Sequence, residues 1–346
     1  RSLKLTLGTS LLQNRYSLLG EGSGPGTLAP GIYYGNYSKN MNSSRQSFIK
    51  DNLVLRAIVL QRIRSYFADN GFLEVETPVR MPAPAPESTI DAEISGEWFL
   101  QTSPELQMKR LLSSGYSRIF QICKCFRRTE RGGKHLPEFT MLEWYRSKSN
   151  YVDMMAECEK LIRSVASRAG SEDFLLYQGE TIDLRLPWIR MSVIDAFDKF
   201  ASITIEKALE ENRFDEVMVM EIEPFLPQKK PLFLYDYPAE KAALAKLVSD
   251  NSEFAQRFEL YIGGLELCNA FTELTDPDEQ RARFEKEIRI RRDSAKPVYP
   301  MPEYFLKSLK YMPEASGNAL GIDRLVMLLA DTDLIDNVIA FTPEEL

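Results

Sequence analysis

The 346-residue sequence predicts an α+β domain, an antiparallel β-sheet flanked by helices, and three observations carry that prediction. Two apolar segments, "RIFQICKCF" and "FTMLEWYR", flank a short loop containing Gly132 and Gly133 and read as hairpin-linked strands. Helical segments stand between the strand-like ones, as expected for helices laid on a sheet. The tail "ASGNALGIDRLVMLLAD" reads as a glycine-punctuated strand running into a helix capped by Asp323.

Taken in order, residues 1–50 are rich in Gly, Ser, Asn and Tyr around "GEGSGPG" and form an N-terminal extension, partly disordered or with short strands. A single domain follows over residues 51–346. Leu55, Val59, Ile63 and Tyr66 recur at helical spacing, and Gly71 stands where that helix would stop. "FLEVETPV" reads as a strand ended by Pro78, and "PAPAPE" as a stiff connector. "LQTSPELQMKRLLSSG" is a strand end, a turn and a helix begun by Thr102 or Ser103, with Glu105 in its first turn. A helix is expected from about Val152 to Ala169, and further helices over much of residues 190–250. "FELYIGGLELCNAF" is strand-like, and "DPDEQRARFEKEIRIRRD" is a charged surface helix.

Composition narrows the function. No stretch approaches the eighteen or so apolar residues a membrane helix needs. No secretory signal is visible, and a start at Arg1 reads as a processed or truncated chain. Four cysteines without a CxxC pair read as reduced structural thiols, consistent with a cytoplasmic protein. The net charge of −7 disfavours a protein living on phosphate-backbone contacts, although a local basic site is compatible with it.

Three constellations could carry chemistry. In "FRRTERGGKHLPEFTMLEWYR", Arg127 leaves one strand while Lys134 and the sole histidine, His135, follow Gly132 and Gly133. Guanidinium and flexible glycines suit a phosphate cradle, while an exposed, charged hairpin tip is the plainer reading. Glu143 and Tyr145, two apart on a strand, share a face and could seat an ammonium group. In "GLELCNAFTELTDP", Glu266 and Glu273 lie seven apart, on opposite sides of an unbroken strand. They could share a Mg²⁺ only if the chain bends between them, and two unrelated surface glutamates is the alternative. In "GNALGIDRLVMLL", Gly317 and Gly321 permit close backbone approach, and Arg324 either faces a ligand or forms a buried ion pair.

Together these stretches resemble motifs 1, 2 and 3 of the class II aminoacyl-tRNA synthetases, over roughly residue 52 to the end. "TSPELQMKRLL", "HLPEFTMLEWYR" and "ELCNAFTELTD" are similar to the lysyl branch. Fifty residues leave no room for that branch's anticodon-binding domain, so no anticodon recognition is expected. The chain is most similar to the short paralogs that attach (R)-β-lysine to a lysine of elongation factor P. The resemblance implies ATP and Mg²⁺ as cofactors, elongation factor P and (R)-β-lysine or lysine as partners, and a homodimer.

It also implies residue roles. Arg127 and Arg324 would be catalytic. Arg127, Arg128, Thr129, Glu130, Lys134, His135, Leu136, Phe139, Glu266, Leu267, Gly321 and Arg324 would bind ATP, with Phe139 and Arg324 sandwiching the adenine. Glu266 and Glu273 would hold the metal. Ser103, Pro104, Glu105, Glu143, Tyr145, Asn269, Glu273 and Ala319 would surround the amino acid. Thr129 stands where the family commonly has a glutamate, so the adenine contact falls to Thr129 or to Glu130. Ala319 replaces a usual glycine, and its methyl would reshape the amino-acid pocket toward the β-isomer. A stand-alone enzyme charging another carrier, one producing only adenylate or dinucleotide polyphosphates, and a silent regulatory paralog are the alternatives.

Overall fold

The structure, a computed structural model, describes residues 44–170, 173–242 and 244–346. The expectation for the N-terminal extension falls almost wholly outside the described residues. Helix α1, Lys50–Asp69, ends as the glycine signal requires, with Gly71 at φ +74°. Strand β1 is only Leu73–Glu74, and the rest of "FLEVETPV" leaves the ladder before Pro78. After helix α2, Glu105–Ser113, the two predicted strands form: β2, Arg118–Phe126, and β3, Glu138–Ser147. Helix α3 spans Tyr151–Arg168 and opens on a capping box in which Asn150 and Asp153 satisfy each other's backbone N–H groups.

Residues 189–272 depart from expectation. Short helices occupy part of 193–225, but strands β4, Ile189–Ser192, and β5, Leu232–Pro238, join the main sheet. "FELYIGGLELCNAF" is not one strand but a hairpin: β6, Phe254–Ile262, turns at Gly263 and Gly264, both at positive φ, into β7, Leu265–Thr272. Asp276 caps helix α4, Pro277–Asp293, by accepting from the Asp278 and Glu279 N–H groups. Strand β8, Ala315–Gly321, runs directly into helix α5, Ile322–Leu329.

The sheet order is β1-β2-β3-β8-β7-β6-β5-β4. The five inner pairings are antiparallel and the two outermost parallel, so the sheet is mixed rather than purely antiparallel. On β3 the alternation is clean. Leu142 and Trp144 enter the large core beneath α1, α3 and α5, while Met141, Glu143 and Tyr145 face the other way. Phe67 of α1 stacks on Phe120, centroids 4.6 Å apart, and sits 5.5 Å from Trp144, locking α1 onto the sheet.

Asp323 is not a helix cap. Its buried carboxylate takes the Arg56 guanidinium of α1 at 2.5 Å and the Thr140 backbone N–H at 2.7 Å. Arg56 also donates to Thr140 Oγ1 at 2.7 Å, tying α1, β3 and α5 at one point. Arg56→Met should therefore leave a buried carboxylate without its cation and lower stability by about 3–5 kcal/mol. Chemical denaturation measures this, and a loss below about 1 kcal/mol would show that the knot carries little.

Candidate active site

The central strands bring their outward faces into register. Glu143 pairs with Ala319, Ala319 with Asn269, and Asn269 with Glu259. One step along the sheet, Tyr145 pairs with Gly317, Gly317 with Phe271, and Phe271 with Arg257. Each row thus has a small residue at its centre and large polar or aromatic groups beside it. The result is a hollow over β8, a cavity of about 420 Å³. A side chain at Gly317 would collide with the Tyr145 ring and the Glu273 carboxylate. Opposite Leu260 and Tyr261 of β6 the register skips Leu267, and this bulge on β7 supplies the bend that the spacing of Glu266 and Glu273 demanded.

At one end lies an acidic nest. Glu143 accepts from Ser103 Oγ at 2.5 Å and from the Tyr145 hydroxyl at 2.8 Å. Ser103 in turn accepts the Glu105 N–H, so the hydroxyl expected to start α2 does so while also reaching Glu143. Pro104 sits at the helix start and holds this turn without lining the cavity. Lys109, wholly buried, bridges Glu105 and Glu273, 2.5 Å from each. Burial alone would discharge its ammonium, but those two carboxylates keep it charged. Burial, and next the neighbouring Glu105, push Glu143 up to about 8. Burial pushes Glu273 up to about 8 as well, against the pull of Lys109.

At the other end the cations gather. Arg127 lies over the Phe139 ring at 5.1 Å and 3.6 Å from Glu130, while its buried Nε has no acceptor. Arg324 reaches the Glu266 carboxylate at 3.1 Å, the Lys134 carbonyl at 3.3 Å and His135 Nε2 at 2.6 Å. Burial, and then Arg324 itself, lower the His135 pKa, so the ring is neutral and Nε2 accepts. The histidine is therefore not one of the loop's cations. Arg131 is not one of the pocket's, being held between Asp336 and Glu344.

Most residues singled out in the sequence meet around this one cavity, including Lys134, Leu136, Phe139, Leu267, Asn269 and Gly321. Four expectations change. Glu130 lines the cavity and Thr129 does not. Arg128 also stays outside, its N–H bonded to the Asp91 carbonyl. Arg324 is neither free nor deeply buried, but is engaged with Glu266 at the cavity wall. Glu266 and Glu273 are not a matched metal pair. Glu266 is partly exposed, whereas the Glu273 side chain has no solvent contact and is neutralised by Lys109. Among the described residues no three Asp, Glu, His or Cys side chains form a metal cage, so a divalent ion would rely on Glu266 and on substrate oxygens.

Sequence reasoning missed Lys109, Arg257, Glu259 and Glu87. Arg257 donates to Asn269 Oδ1 at 3.0 Å and to Glu259 at 2.7 Å, fixing which way the Asn269 amide points. The signal was present, because "RFE" puts Arg257 and Glu259 on one strand face.

A synthetase-type nucleotide and amino-acid site is thus laid out on a mixed sheet. The family model described as "tRNA synthetases class II (D, K and N)" matches residues 36–345, and the chain belongs to that family. Within it, the chain is 38% identical over 308 residues to the "Elongation factor P--(R)-beta-lysine ligase" of Erwinia tasmaniensis, covering 84% of this chain and 94% of that one. The protein of the same name from Pectobacterium carotovorum is 38% identical over 311 residues, 85% of this chain and 95% of the relative. The "Lysine--tRNA ligase" of Moorella thermoacetica is 37% identical over 320 residues, 85% of this chain but 65% of its own length.

The raised pKa values predict a pH dependence. Below about 8, Glu143 holds a proton and cannot attract an ammonium group, whereas Glu273 is already paired with the Lys109 ammonium. The Michaelis constant for a diamino acid should therefore fall as pH rises from 6 to 8, by up to about tenfold per titrating carboxyl per unit. Stability of the empty protein should run the other way. A carboxyl whose folded pKa is raised binds more protons folded than unfolded between 4.5 and about 8, so stability declines as pH rises through that window. A Michaelis constant flat from pH 6 to 8 would remove Glu143 from substrate binding.

Proposed function

We propose that this chain activates (R)-β-lysine or lysine with ATP and passes it to a lysine side chain of elongation factor P. The carrying observation is the charge imbalance of the acidic nest, in which Glu105, Glu143 and Glu273 converge with Lys109 as their only lysine neighbour among the described residues. A substrate with two ammonium groups restores that balance, whereas an ordinary amino acid does not. The names of relatives matched over nearly their whole length support the ligase reading and the acceptor.

In the first step a substrate carboxylate oxygen attacks the α-phosphorus of ATP in line. The O–P bond forms, the bond to the β-phosphate breaks, and pyrophosphate leaves. In the second step the neutral acceptor amine attacks the adenylate carbonyl carbon: a C–N bond forms, the acyl C–O bond to phosphate breaks, AMP leaves with that oxygen, and the amine's proton passes to solvent. Both steps depend on positioning and charge more than on a protein base. Arg127, whose Nε awaits an acceptor, meets the α-phosphate and substrate carboxylate. Phe139 and Arg324 flank the adenine, with Gly321 beneath the nucleotide and Glu130 at its edge. Lys134 meets the outer phosphates, with neutral His135 orienting Arg324. Ser103, Glu143 and Tyr145 hold the distal ammonium. Glu105, Asn269 and Glu273 complete the amino-acid end, and the Ala319 methyl limits its depth. A Mg²⁺ held by Glu266 and phosphate oxygens would neutralise charge on the triphosphate. A homodimer through α1 and the edge strand β1, where Leu73 is exposed, completes the reading.

Amino-acid-dependent ATP–pyrophosphate exchange tests the first step, and mass measurement of elongation factor P after incubation tests the second. Arg127→Ala and Arg324→Ala should each lower exchange by about 10²–10³-fold with the fold intact. Exchange unaltered in both variants overturns these roles. Exchange without any mass gain on the acceptor would favour a different carrier.

A further inference from the structure

One carboxylate in the cavity has no assigned task. Glu87 follows the Pro82–Pro86 run, which the sequence marks only as a connector, yet its side chain lines the active-site cavity. Among the described residues its carboxylate has no hydrogen-bond or ion-pair partner. Its surroundings offer no relief, since burial and the nearby Glu105 both disfavour its charge while Arg127 favours it.

The loop carrying Glu87 is held rigidly. Arg291 of α4, fully buried, donates to the carbonyls of Glu87 at 2.6 Å and Ile90 at 2.9 Å. It also donates to Asp91 Oδ1 and the Tyr299 hydroxyl, at 2.7 and 2.8 Å. Glu287 accepts the Ser88 N–H at 2.7 Å, and Lys296 donates to the Ser88 carbonyl at 2.9 Å. These bonds fix the backbone from which the Glu87 side chain leaves. An unpaired carboxylate on a fixed backbone at a cavity has a cationic ligand group as its natural partner.

Position selects which cation. Glu87 lines the cavity together with Glu105 and Arg127. Arg127 marks the end where the substrate carboxylate is activated, and Ser103, Glu143 and Tyr145 mark the distal end. We infer that Glu87, together with Glu105, grips the amino group beside the reacting carboxyl, so that it discriminates diamino acids from acids lacking that group. The inference rests on the ligase reading above and adds a specificity-determining residue to it.

The test compares (R)-β-lysine, L-lysine and 6-aminohexanoate, which keeps the distal amine and carboxyl but lacks the proximal amine. In Glu87→Gln, kcat/KM for exchange with both diamino acids should fall about ten- to hundredfold, the loss of one charge-assisted bond. The inhibition constant of 6-aminohexanoate and the Michaelis constant for ATP should stay at wild-type values. Glu87→Asp, which keeps the charge, should recover part of the loss. Equal weakening of all three ligands, a parallel rise in the ATP constant, or no change at all would each overturn the inference. Wild-type protein showing no exchange with either diamino acid would instead overturn the functional reading beneath it.

Discussion

The register of the central strands is the constraint on which the site depends. Because Gly317 and Ala319 of β8 stand opposite Tyr145 and Glu143 on one side and Phe271 and Asn269 on the other, the sheet is hollow where a ligand must lie. A slip of one residue along β8 would turn Ser316 and Asn318 outward and bury the small residues, closing the cavity. The hollow cannot be reproduced by surface side chains, since it is made from missing atoms in strand positions that normally fill a core. Gly317 is needed for that reason and not for an unusual backbone angle.

The register also decides the charge of the floor. Antiparallel pairing places Glu143 and Glu259 in one row, and Lys109 from α2 covers Glu273 from above. Burying several carboxylates with so few cations costs stability, and the folded protein meets the cost by holding a proton on Glu143 and pairing Glu273 with Lys109. Such an arrangement is poor for a structural core and good for a site awaiting positive charge, because ligand binding discharges the penalty. The nucleotide end is built on the opposite principle. There Arg324 is already engaged with Glu266, while Arg127 is only loosely paired with Glu130 and its buried Nε is unpaired, so a ligand would exchange one partner and supply another.

Much of this was legible in sequence where local pattern and tertiary role agree. Strands β2 and β3 announce themselves by apolar content and the glycine loop between them, and α1 by apolar spacing and Gly71. Strand β5 was not legible, because "LFLYDYP" is a short apolar run with a proline at its end and Asp236 at φ +58°, and only its neighbours β4 and β6 make it a strand. Asp323 has the look of a helix cap, but a cap is a local assignment and Arg56, far away in sequence, outbids it. Glu273 illustrates the same limit. Spacing raised the question of a bend, yet only the fold reveals that Lys109 arrives from another helix to neutralise it.

The knot at Asp323 then gives the two halves of the site a common support. Thr140 follows Phe139, and Asp323 precedes Arg324, so the two groups proposed to flank the adenine are each one residue from the Arg56 guanidinium network. Helix α1 contributes nothing to the cavity wall, but its arginine holds β3 and α5 at a fixed separation. Displacement of α1 would therefore shift Phe139 and Arg324 together before it touched the amino-acid end. The acidic nest is anchored elsewhere, on α2 and the register of β7 and β8, so the two ends of the cavity rest on separate foundations. An enzyme of this form can have its nucleotide affinity tuned through α1 while its choice of amino acid remains set by the sheet.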